Sequence, residues 1–104
     1  MSTEQHQQLS EIDRGLLKRC LAGEDDAWRN FVDRFLGLVL HVVDHAMESQ
    51  PGADRSRQRE DLCARVFSEI SRDDFRLLRH YRGQSSLATY LVVVARRIVT
   101  SALA

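Results

Sequence analysis

The chain is poor in the residues that interrupt or cross-link a small fold. It has one proline, Pro51, so nothing in the composition forbids long helices. Its two cysteines, Cys20 and Cys63, are isolated and lack metal-ligand spacing. That excludes a framework of several disulfides and a zinc finger, and reads as two reduced, half-buried thiols, with a single Cys20–Cys63 disulfide as the alternative. No apolar run is long enough to cross a bilayer. Residues 35–40 are too few, and the apolar C-terminal segment is broken by Arg96 and Arg97. Residues 1–8 form a polar tail without an apolar stretch, so no secretory signal and a cytoplasmic location are expected. There is no internal repeat and no low-complexity segment. Lysine is almost missing as well, with Lys18 alone among the cations that are not arginine or histidine.

What is present suits one small globular domain, expected over 9–104. Hydrophobic residues make up 43% of the 104, which excludes a disordered chain and leaves little room for a second core. Net charge is zero, but the charges are segregated. Residues 1–50 carry five basic and nine acidic side chains, and residues 51–104 carry ten and six. Every basic residue of the second half is an arginine. Arginine forks suit phosphates and base edges better than lysine does.

Helical periodicity runs through most of the chain. Leu9, Ile12, Leu16, Leu17, Cys20 and Leu21 predict a helix capped by Ser10 and ended at Gly23. The acids Glu24, Asp25 and Asp26 suit the positive end of a second helix, predicted over 24–47. Its apolar face is Ala27, Trp28, Phe31, Val32, Phe35, Leu38, Val39, Val42, Val43 and Ala46. Gly37 in mid-helix predicts a close helix approach or a bend. Pro51-Gly52 marks a turn. A third helix, over 57–71, turns Leu62, Cys63, Val66, Phe67 and Ile70 inward. Ser71-Arg72-Asp73-Asp74 reads as a stop and a new cap, followed by a short helical segment over 73–78. The last helix starts near Ser85 or Ser86, with Leu87, Tyr90, Leu91, Val94, Ala95 and Ile98 on one face. Val92-Val93-Val94 has strand propensity, but the 3.6-residue period prevails. The expected fold is all-α, a compact bundle of about four helices.

Three segments, in order, resemble one family. Gly23-Glu24-Asp25-Asp26-Ala27-Trp28 is followed by Phe31, Val32, Phe35 and Val39. Asp61-Leu62-Cys63-Ala64-Arg65-Val66-Phe67 comes next. Last is Tyr81-Arg82-Gly83-Gln84-Ser85-Ser86-Leu87-Ala88-Thr89-Tyr90-Leu91, then Ala95-Arg96-Arg97. Together they resemble region 2 of bacterial RNA polymerase sigma factors of the extracytoplasmic-function (ECF) group. The resemblance covers about 16–102 and implies a sigma region 2-like bundle that is a transcription initiation factor and not an enzyme. It implies a polymerase-docking face of Asp61, Leu62, Ala64, Arg65 and Ser68, set against the clamp coiled coil of RNA polymerase core. It also implies capture of the promoter −10 element, on its non-template strand, by Arg79, His80, Tyr81, Arg82, Gly83, Gln84, Ser85, Ser86, Thr89, Arg96 and Arg97. An anti-sigma factor is a further candidate partner.

The residue types fit that task. Reading a base in a duplex requires unstacking it, which costs a few kcal/mol. Stacking the base on an aromatic ring returns about 1–3 kcal/mol. His80 and Tyr81 offer such faces, and Gly83 permits close backbone approach. Ser85 and Ser86 can cap the last helix, whose free N–H groups attract phosphate. Arg79, Arg82, Arg96 and Arg97 can neutralise the DNA backbone. Tyr81 equally suits a core anchor for the loop, and Tyr90 lies in the apolar stripe.

The chain departs from the family at three points. Ala64 and Arg65 stand where it usually has glutamine and an acid, which opens an alternative: a sigma-like module that binds a regulatory protein without polymerase or DNA. Ala88 replaces a frequent arginine. The second sigma domain, the region 4 helix-turn-helix, has no counterpart, and an excised domain is expected. His41 and His45 share a helix face at i, i+4, but Val42 stands where a zincin-type motif needs glutamate, and no third ligand is evident. No catalytic residue, metal or cofactor is expected.

Overall fold

A computed structural model of the protein describes residues 9–48 and 54–104. The polar tail 1–8 and the Pro51-Gly52 turn lie outside the described residues. The fold is an all-α four-helix bundle: α1 (Glu11–Leu21), α2 (Ala27–Met47), α3 (Arg55–Arg79) and α4 (Leu87–Leu103). No helix among the described residues is long and apolar enough to cross a membrane.

Helix α1 begins as its sequence dictates. The Ser10 hydroxyl accepts the Asp13 backbone N–H at 3.1 Å, satisfying one of the orphan donors of the first turn. After Ala22 the chain turns at Gly23, whose φ of +73° is the left-handed conformation that glycine adopts without a Cβ clash. The acids 24–26 do not form the first turn of α2. They make a tight turn before it, with Asp26 at φ +67°, and the helix proper starts at Ala27. The Asp26 side chain makes no capping bond.

Helix α2 is the centre of the bundle and packs against the other three. Its buried face is Ala27, Phe31, Phe35, Val39, Val42, Val43 and Met47. Leu62, Cys63, Val66, Phe67, Ile70 and Leu78 of α3 close over one side, and Leu87, Leu91, Val94, Ala95 and Val99 of α4 over another. Both cysteines are free and fully within this core, deeper than their sequence setting predicts. Burial pushes both thiols above their ordinary pKa. The Val92-Val93-Val94 run is helical, because α4 must present one continuous stripe to α2.

Two ion pairs flank the central helix. Arg34 donates to Asp13 of α1, the one buried carboxylate among the described residues, and its guanidinium lies 5.7 Å from the centre of the Phe35 ring. Arg59 of α3 grips Asp44 with two parallel hydrogen bonds, at 2.6 and 3.1 Å. That fork holds the Asp44 carboxyl below its ordinary pKa.

Helix α3 is two helices meeting at a kink. Arg72 is extended, and Asp73, Asp74 and Phe75 all have φ near +60°, one turn of left-handed helix. The stop expected at 71–74 is therefore a reversal of backbone hand instead of a capped restart. For L-residues this costs about 1–2 kcal/mol each. Two contacts offset the cost. The Phe75 ring packs 5.3 Å from Trp28, which also touches Phe31 and Phe67. Arg79 reaches back to the Asp74 carbonyl at 2.7 Å and its carboxylate at 3.1 Å.

Gly37 does not mark a close helix approach. It is exposed, and a Cβ there would meet nothing within 4 Å. Gly37→Ala is thus expected to stabilise the fold by about 1 kcal/mol, the helix-propensity difference. Urea unfolding should show a higher midpoint at unchanged slope. A lower midpoint would mean that the helix needs glycine at this position.

Candidate nucleic-acid interface

The 79–86 loop joins the end of α3 to the start of α4 and forms a ledge tied by side-chain hydrogen bonds. Arg79 holds its first residue. Besides gripping Asp74, its guanidinium donates to the Leu21 carbonyl at the end of α1, 3.2 Å away. Tyr81 is half-buried, with its ring 5.0 Å from Tyr90 and its hydroxyl donating to the Ser85 carbonyl. Tyr90 in turn donates to the Leu77 carbonyl at 2.6 Å. Both tyrosines therefore tie the loop's two ends to each other and to α3. Burial raises both phenol pKa values, so each hydroxyl stays a neutral donor near pH 7.

Gly83 turns the loop at φ +76°. Its surroundings are open, so the fold itself needs glycine there for conformation and not for space. Ser86, not Ser85, caps α4. Its hydroxyl accepts the Thr89 N–H at 3.0 Å and donates to the Thr89 hydroxyl at 2.8 Å. Ser85 donates to the Ser86 carbonyl instead.

Tyr81 walls two shallow clefts. One, about 540 Å³, runs between the loop and α1, lined by Leu9, Arg14, Leu17, Tyr81, Arg82, Gly83 and Gln84. The other, about 210 Å³, lies on the side of His80, Ser85 and Tyr90. His80, Arg82 and Gln84 are exposed at the rims. Arg14 is a member of this cleft that sequence reading missed. No linear signal could have found it, because only the packing of α1 brings it to the loop.

Arg96 and Arg97 are both exposed but look in different directions. Arg96 borders an open groove with Leu38, His41, Val42, His45, Val92 and Thr100. Arg97 shares a cleft with Arg65, Glu69, Ile98 and Ser101. Among the described residues, neither has a carboxylate within ion-pair distance. Thr89 lies on the same exposed side of α4 as Val93, Arg97 and Ser101, at successive i, i+4 positions. From Phe75 to the last residue the chain carries five arginines and no aspartate or glutamate. That segregation is sharper than the half-and-half balance, and it sets a purely cationic loop and helix on a neutral protein.

On α3, Asp61, Ala64, Arg65 and Ser68 are exposed along one face at i, i+3, i+4 and i+7. Leu62 is not part of that surface. It sits in the core at 7% exposure and supports the face from beneath. His41 and His45 are exposed on α2, and no group of three or more His, Cys, Asp or Glu among the described residues is placed to hold a metal ion.

No protein-family model matches this chain, and neither does a curated protein or a solved structure.

The cap assignment has a direct test. Ser86→Ala should cost about 1 kcal/mol, while Ser85→Ala, whose hydroxyl caps nothing, should cost little. Paired urea titrations will separate them, and equal losses would remove Ser86 from the cap role.

Proposed function

We propose that this chain is a cytoplasmic transcription initiation factor of the sigma region 2 type, which docks on RNA polymerase core and holds promoter −10 DNA. The observation that carries the reading is the acid-free stretch from Phe75 onward, with its five arginines. A segment that neutral overall composition does not require to be cationic is suited to a polyanion. Phosphates neutralised by arginine release counterions, which supplies most of the non-specific affinity.

The loop supports a finer reading. A base turned out of the non-template strand needs a cleft with an aromatic wall and polar groups at its rim. The cleft between α1 and the loop has Tyr81 as a wall, with Arg14, Arg82 and the Gln84 amide around it. Because Tyr81 and Tyr90 are tethered at both hydroxyls, the ledge would be in place before DNA arrives. Preorganisation of this kind lowers the ordering cost of binding. Ser86 and the start of α4 add helix N–H groups that favour a phosphate. Thr89 and Arg97 continue the track along α4. Arg79 has a different part in this reading: its internal bonds make it the anchor of the ledge.

The exposed face of Asp61, Ala64, Arg65 and Ser68 is the surface offered to the polymerase clamp coiled coil. Ala64 and Arg65 favour a second reading, a module that binds a regulatory protein and no longer engages polymerase. Ala64→Gln with Arg65→Glu should then raise affinity for the isolated coiled coil by tenfold or more in calorimetry, since a like charge across an interface costs several kcal/mol. No gain would acquit those two positions.

The DNA reading predicts that Arg96→Ala with Arg97→Ala weakens binding to a promoter-fork oligonucleotide. The slope of log K against log salt should fall by about 0.9 per lost phosphate contact on duplex DNA. Unchanged affinity across a salt titration would defeat the proposal for both arginines.

A further inference from the structure

We propose that Arg65 and Arg97 form one backbone-phosphate site, so that the nucleic-acid surface crosses from α4 onto α3. This rests on the DNA-binding reading above and extends it to a residue that the family resemblance assigns to polymerase docking. Arg65 and Arg97 come from different helices and line the same cleft of about 310 Å³, with Ser101 at its edge and Ile98 beside it. Both guanidinium groups are exposed. Among the described residues neither is paired to a carboxylate. The cleft's single acid, Glu69, is engaged by Arg72 at 3.4 Å.

Two guanidinium groups on one small cleft repel each other until an anion stands between them. A phosphate diester supplies that anion. Its two free oxygens can each take a guanidinium fork, and the Ser101 hydroxyl is a further donor. A carboxylate-bearing protein partner fits less well, because the α4 flank of the cleft offers no acid to set register and is continuous with the Thr89–Arg97 track. Arg65, standing where the family this chain resembles usually has an acid, is thus a gain of phosphate contact and not a damaged docking residue.

The test is fluorescence anisotropy with a labelled duplex and a labelled promoter fork, over a range of sodium chloride, using the whole chain. Arg65→Ala and Arg97→Ala should each lower the duplex salt slope, by up to about 0.9. The double variant should lose less affinity than the product of the two single losses, since both arginines serve one phosphate. Arg29→Ala, an exposed arginine on α2, controls for bulk charge. An unchanged slope in Arg65→Ala with a lowered one in Arg97→Ala overturns the shared site and leaves the DNA reading standing. An equal effect from Arg29→Ala overturns it as mere net charge. Arg65-dependent binding of inorganic phosphate without DNA binding gives the cleft to a small anion and overturns it too. A folded chain that binds neither DNA nor phosphate sinks both this site and the DNA reading.

Discussion

The apolar face of α2 is the constraint on which the bundle depends. Ala27, Phe31, Val39, Val43 and Met47 are almost wholly buried along 21 residues of one helix. No single neighbour can cover so wide a stripe, so α1, α3 and α4 each take a share. Burying a large aliphatic or aromatic side chain is worth about 1.5–3 kcal/mol, far more than either flanking ion pair contributes at its exposed end. The pairs Asp13–Arg34 and Asp44–Arg59 have another role. They fix the height at which α1 and α3 meet the central helix, which apolar contact alone leaves loose.

From that packing follows the place of the arginine-rich ledge. The left-handed turn at 73–75 changes the direction of α3, and Phe75 is held by Trp28 at the start of α2. The redirected end carries Leu78 into the core and leaves Arg79 free to reach the end of α1. A chain of local anchors then runs from Asp74 through Arg79, Leu77, Tyr90 and Tyr81 to Ser85. Every acid of the protein lies at or before Asp74 in the sequence, and none follows it. Zero net charge therefore conceals a dipolar arrangement, acidic toward one end of the sequence and cationic toward the other.

Much of this was legible in the sequence because it is local. Ser10 and Ser86 announce helix starts through a hydroxyl three residues before the N–H it caps. Gly23 announces an end through a backbone hand that only glycine adopts cheaply. The inward faces of α2, α3 and α4 follow from the 3.6-residue period. What was illegible depends on long-range packing. The left-handed turn uses two aspartates and a phenylalanine, which carry no such signature, and it is held by Trp28 far earlier in the chain. Arg14 joins the loop cleft only because α1 folds across it. Leu62 was placed with its exposed neighbours because the family pattern runs through it, although its own spacing with Val66 and Ile70 pointed inward. Gly37, read as a close helix approach or a bend, faces open space, which removes the close approach. Arg96 and Arg97, adjacent in sequence, are a hundred degrees apart on the helix, and this alone parts them onto different flanks.

Trp28 is the only tryptophan in the chain, and it sits where three aromatic rings from α2 and both halves of α3 converge. Its indole is therefore a built-in optical gauge. Emission from this one fluorophore will register any loosening of the Phe75 turn, and hence of the ledge beyond it, without a label. A ligand gripped by the loop would be visible from the opposite side of the anchor chain, through a ring it never touches.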